Sequence, residues 1–126
     1  MTASDTAELA LAAARAADAK GGTDILVIDV GDILAICDVF LIVSGRNTRQ
    51  VRAIADEIEE QLWLGSDRRP VASEGRDAHR WVLIDYGDLV VHVFLETERE
   101  FYRLERLYSD APRIDFIPAG PPVSPN

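Results

Sequence analysis

The sequence predicts an α/β (α+β) domain: a mixed β-sheet of about five strands with helices packed on it. Three observations predict it. Two β-branched apolar runs, ILVIDV and DVFLIVS, lie close together between residues 25 and 44. An amphipathic helical repeat follows over residues 47–64, and a two-strand hairpin pattern follows over residues 80–95. The order reads α-β-β-α-(β)-β-β-α, without internal repeat, and 126 residues fit one domain.

Each element has its own local reason. Residues 5–19 read as a helix because Ala7, Ala10, Leu11, Ala14 and Ala17 recur at helical spacing, and Gly21-Gly22 end it. That face is mostly alanine, so weak docking and fraying are expected. Ile25 to Val30 form a short strand, and Gly31-Asp32 a turn. Asp38 to Ser44 are nearly all apolar, which suits a central strand covered on both faces. Ile33 to Cys37 fit either a helical turn or a strand extension. In the helix over 47–64, Asn47 and Gln50 resemble a capping box. Val51, Ile54, Ala55, Ile58 and Leu62 form the apolar stripe, and Gly65 is the expected stop. Ser66 to Asp77 read as a polar loop with a short strand near Val71-Ala72.

The hairpin joins Arg80–Tyr86 to Leu89–Leu95 through Gly87-Asp88, a Gly-first pair suited to a two-residue type II′ turn. That register sets Trp81 opposite Phe94 and Leu83 opposite His92. Trp81, Leu83, Asp85, Val90, His92 and Phe94 then share one face, and Val82, Ile84, Tyr86, Leu89, Val91 and Val93 the other. Thr97 to Glu100 read as a capping box opening a helix to about Tyr108, with Phe101, Leu104, Leu107 and Tyr108 inward. Residues 1–110 are therefore expected to form the single domain. Residues 111–126, rich in proline, are expected to be a tail disordered in part, with Ile114, Phe116 and Ile117 as a short arm.

Net charge is -9, from 22 Asp+Glu against 13 Lys+Arg. Phosphate backbones repel such a chain, so extensive direct nucleic-acid binding is not expected, and a basic protein patch is the better-matched partner. One cysteine, Cys37, excludes an internal disulfide and a cysteine metal cluster. With no leader pattern at the N-terminus and no apolar run of membrane-spanning length, the expected location is the cytoplasm.

Catalytic constellations are absent or weak. There is no Walker-type or dinucleotide-binding glycine pattern. Ser44-Gly45, at a strand end before a helix, could aim backbone N–H groups at an anion, but equally makes a tight turn. His79 and His92 lack cysteine partners, so no metal site and no cofactor are expected. Ser44, His92 and Asp85 lack a nucleophile elbow, and His92 is read as a structural histidine bonded on the sheet, diagonal to Asp85. Trp81, Asp85, Tyr86 and Asp88 around the hairpin interleave aromatics with carboxylates, as interface hot spots do. Ordinary core for Trp81 and turn chemistry for Asp88 fit as well.

Three blocks resemble the Iojap / ribosomal silencing factor (RsfS) family: Asp38 to Val51 with its helix through Glu59, Glu74-Gly75 through Trp81 to Phe94, and Arg99 to Asp110. Two departures are Tyr108, where members often carry tryptophan, and a longer tail from Ala111. The resemblance implies a nucleotidyltransferase-like topology without that superfamily's catalytic carboxylates, hence no enzyme activity. It implies binding to ribosomal protein fourteen of the large subunit, steric blocking of subunit joining, and repression of translation in starvation or stationary phase. It places Trp81, Asp85, Tyr86 and Asp88 at the partner interface. A homodimer when free is also expected, because the hairpin's apolar patch needs covering. The alternatives are a divergent nucleotidyltransferase and a large-subunit assembly factor.

Overall fold

The computed structural model describes residues 3–34 and 37–118. Its elements run α1 (Ala3–Ala19), β1 (Thr23–Asp29), β2 (Val39–Gly45), α2 (Thr48–Ser66), β3 (Ala72–Glu74), β4 (Trp81–Asp85), β5 (Leu89–Leu95), α3 (Glu96–Tyr102), α4 (Leu104–Leu107) and β6 (Arg113–Ile114). Six strands form one mixed sheet in the order β3-β4-β5-β2-β1-β6. The nearly all-apolar β2 is buried along its whole length and pairs parallel with β5, from Val39 opposite Leu89 to Gly45 opposite Leu95. The remaining pairings are antiparallel.

Alternation of side chains gives the sheet two differently covered faces. On one, α1 and α2 pack over Val27, Leu41, Val43, Val82, Ile84, Tyr86, Leu89, Val91 and Val93. On the other, Ile28, Phe40, Ile42 and Phe94 form a smaller core with Leu104 and Tyr108. The hairpin has the expected register, Trp81 opposite Phe94 and Leu83 opposite His92, and Gly87 takes φ +91 as the first turn residue.

The alanine face of α1 does not hang loosely. Ala10, Ala13, Ala14, Ala16 and Ala17 are all buried, because small side chains let the helix lie close to α2 and the sheet. Gln50 ties the two helices together. Its amide donates to the carbonyls of Lys20 and Gly21, its backbone N–H to Asn47 Oδ1 at 2.8 Å. Its side-chain oxygen accepts from Arg46 N, one residue before the position a capping box uses.

Four local expectations are corrected. Gly65 does not stop α2; the helix continues to Ser66, and Asp67 caps it at φ 53, with its N–H on Trp63 O and that of Arg68 on Leu62 O. Thr97 is not an N-cap, because β5 runs directly into a helix beginning at Glu96, with Leu95 at the cap. That helix does not reach Tyr108. Arg103 at φ 47 breaks it into α3 and α4, leaving Phe101 78% and Leu107 74% exposed while Leu104 and Tyr108 pack inward. The tail segment contributes a sixth strand: Arg113 pairs with Ile28 and Ile114 with Val27. Ile114 and Phe116 pack on the core and Ile117 does not. Of Ile33 to Cys37, the turn reaches Ile33; Ala35 and Ile36 lie outside the described residues, as do 119–126.

Two glycines give opposite expectations for alanine. Gly75 sits at φ +81, and a Cβ there would lie 2.0 Å from the Trp81 carbonyl oxygen. Gly75→Ala should cost about 3 kcal/mol by urea unfolding, since left-handed strain and a backbone clash add. Gly65 is helical with nothing near its Cβ position. Gly65→Ala should stabilise by about 0.5–1 kcal/mol.

Candidate protein-docking face

Strand alternation puts Trp81, Leu83 and Asp85 of β4 and Val90 of β5 on the face opposite α1 and α2, where they are half-buried. The short arm formed by α3 and α4 covers only part of this face. Trp81 stacks on Phe94 with ring centroids 4.7 Å apart, and leans on Tyr102 of α3 at 4.9 Å. Tyr102 in turn meets Phe101 edge to face at 5.0 Å. Trp81, Tyr102 and Phe101 thus form an aromatic ridge beside Leu83, with Tyr102 49% exposed.

Tyr102 and Phe101 were not legible as surface residues. Their outward placement follows from the break at Arg103, a residue type with no preference for the left-handed conformation.

The four hairpin residues singled out by the sequence separate. Trp81 and Asp85 lie on the half-open face. Tyr86 points the other way, 3% exposed in the helix-side core, with burial pushing its hydroxyl up to about 12. Asp88 anchors the turn: one carboxylate oxygen accepts from Arg68 Nη2 at 2.6 Å and the other from Thr6 Oγ1 at 3.0 Å. Burial opposes its charge, but the Arg68 and Thr6 bonds more than offset that and hold its carboxyl below the usual range. Arg68 also donates to Tyr86 O, so this cluster locks the hairpin turn to α1 and to the α2–β3 loop.

Asp85 does not reach His92, contrary to expectation. Its Oδ1 accepts from Gly87 N at 2.7 Å and shapes the turn. The partner of His92 is Trp81, whose Nε1 donates to His92 Nδ1 at 3.2 Å. Nδ1 is therefore the acceptor, and the ring proton sits on Nε2. The histidine is edge-on to Phe40 and 4% exposed. Burial among these rings lowers its pKa from 6.5 to about 4.

Ser44 pairs with Phe94, two residues along the strand from the Ile42–His92 pair, and its hydroxyl accepts from Arg99 Nη1 at 3.0 Å. Among the described residues no group of three His, Cys, Asp or Glu side chains converges as a metal site, and no helix is long and apolar enough to cross a membrane. Asp85 and Asp88, the acids nearest to a pair, are each committed to hydrogen bonds around the turn.

His92 makes stability depend on pH in a defined window. The folded state holds the imidazole neutral, while the unfolded chain protonates it below about 6.5. Stability is therefore full above that pH, falls as pH drops, and levels off near 4. The loss should be about 3 kcal/mol, at about 1.4 kcal/mol per tenfold change in proton affinity. Urea unfolding at pH 7 and at about pH 4 checks this, with His92→Gln expected to flatten the dependence. The Asp88 contribution is lost at lower pH, below the ordinary carboxylate range.

Comparison with known proteins adds identity to this geometry. The family described as ribosomal silencing factor during starvation (RsfS) matches residues 3–124. A ribosomal silencing factor of Bacillus subtilis is 46% identical over 106 residues, covering 82% of this chain and 86% of the relative. A mouse protein named for mitochondrial assembly of the ribosomal large subunit is 37% identical over 93 residues, 71% of this chain but 40% of its own length. A crystal structure of a Chromobacterium violaceum protein superposes with a TM-score of 0.79 at 30% identity, covering 96% of this chain and 98% of that one.

Proposed function

The chain belongs to the RsfS family of ribosomal silencing factors, and from that premise we propose that it binds the large ribosomal subunit and keeps the small subunit from joining. In this reading the half-open sheet face docks on ribosomal protein fourteen of the large subunit, and translation falls in starvation as a result. The protein acts as a steric adaptor in the cytoplasm and not as an enzyme.

The observation that carries the reading is the aromatic ridge beside Leu83. A cluster of large rings, partly exposed on a rigid sheet and bordered by Asp85, has the composition of an interface centre. The net charge of -9 suits a basic ribosomal protein, through steering of the encounter. Trp81 and Asp85 are the direct contacts in this proposal, and Tyr86 and Asp88 hold the hairpin that presents them. The same face suits two-fold pairing of free chains, which must open before docking. The name of the mouse relative favours a second outcome of the same contact, assistance in large-subunit assembly.

Sedimentation with separated subunits tests this. The chain should pellet with the large subunit, remain free with the small one, and slow their reassociation. Trp81→Ala should weaken large-subunit binding by about 2 kcal/mol or more, while Glu60→Ala on α2 should change it by less than about 1 kcal/mol. Tyr86→Ala should instead show its main cost in unfolding, because its ring is core. Equal pelleting with both subunits would sink the proposal.

A further inference from the structure

A second surface on the same sheet face differs in chemistry from the aromatic ridge. On the β1–β6 side of α3, a crevice of about 770 Å³ is lined by Arg99, Arg103, Arg106 and Arg113, from α3, the α3–α4 break, α4 and β6. Elsewhere the described arginines are often neutralised at short range, as Arg68 is by Asp88, Arg76 by Asp56 and Glu59, and Arg80 by Glu98. In the crevice only Arg99 has such a partner: it pairs with Glu105 at 3.0 Å and donates to Asp24 O and Ser44 Oγ. Arg103 spends its Nε on a backbone carbonyl, that of Glu100. Arg106 and Arg113 are exposed and enter no ion pair among the described residues.

Acids line the crevice too. Glu105 is engaged by Arg99, and Asp24, Glu96 and Glu100 bring the formal balance of the crevice to zero. The rest of the chain therefore carries the whole net charge of -9, and an anion approaching this crevice escapes the repulsion it meets elsewhere. Arg103 reaches its place only by adopting φ 47, and Asp24 across the crevice adopts φ 49.

We propose that Arg103, Arg106 and Arg113 form an anion site that takes a phosphate of an RNA backbone. Three guanidinium forks from three elements suit a tetrahedral group with several oxygens better than a carboxylate, which one fork can satisfy. The proposal deepens the docking reading and rests on it: the ridge meets protein, and the crevice meets ribosomal RNA beside it. Contact with a single phosphate is compatible with a chain too acidic to bind RNA extensively.

The test compares wild type with the double variant Arg106→Gln/Arg113→Gln, and with a control, Arg15→Gln/Arg49→Gln, that removes the same charge from exposed sites outside the crevice. Affinity for purified large subunits is measured between about 50 and about 200 mM salt; loss of that phosphate contact should reduce the salt-dependent change roughly threefold. The control should keep the wild-type slope, and equal effects of the two variants would overturn the proposal. A second arm titrates the free full-length protein with inorganic phosphate and with a short single-stranded RNA, read by NMR of the arginine side chains. Saturable RNA-induced shifts at Arg103, Arg106 and Arg113, stronger than those from phosphate, are expected. No shift, or phosphate binding as tightly as RNA, would overturn an RNA-backbone site. Should wild type ignore the large subunit altogether, the docking reading falls, and this arm still decides the anion site.

Discussion

The parallel pairing of β2 with β5 is the constraint on which the rest of the molecule depends. It joins segments fifty residues apart in sequence, Val39 to Leu89 through Gly45 to Leu95. It places the hairpin in the middle of a six-stranded sheet and not at an edge. Strand β2 can accept that position because it is apolar on both faces. Once β5 is docked, the hairpin register decides which side chains go to the helices and which to the opposite face. Tyr86, Leu89, Val91 and Val93 go to the helices, and Trp81, His92 and Phe94 to the other side. The C-terminal ends of β2 and β5 coincide, so α2 and α3 leave the sheet at the same end, one to each face.

That division makes one face a core and leaves the other half-open. Two long helices bury the strand centres of the first. On the second, a broken pair of short helices covers too little, and the uncovered remainder contains the rings that β4 and α3 bring together. His92 supports this surface from beneath: its neutral ring accepts from Trp81, so the indole is fixed in orientation as well as in position. Asp88, Arg68 and Thr6 do the same for the turn from the helix side. A partly apolar surface on a well-packed sheet suits the docking role proposed above, because little ordering entropy is lost on binding.

Much of this was legible in the sequence wherever the signal was local. Periodicity marked α2 and its buried stripe, Gly87-Asp88 fixed the hairpin register, and β2 declared itself central. The order of the elements identified the fold class, and the three blocks the family. What was not legible depended on contacts between distant segments. Asp88 reads as a turn residue, and only the approach of α1 and Arg68 makes it a hub. Tyr86 reads as an interface aromatic, and only the side-chain alternation seen with the covering helices makes it core. The break at Arg103 has no sequence signal, since arginine neither favours nor needs that conformation; Phe101 and Tyr102 were hidden with it. Strand β6 was missed because two residues of pairing leave no periodic trace among prolines.

In the proposed complex the Trp81–Leu83 side of the sheet, and not the helix side, meets the large subunit. A photo-crosslinking amino acid placed at Leu83, compared with one at Glu60 on α2, addresses it directly. An adduct from position 83 to ribosomal protein fourteen of the large subunit, competed by unlabelled wild type, is expected, with little or none from position 60. Crosslinking from position 60 alone, or from neither, would contradict it.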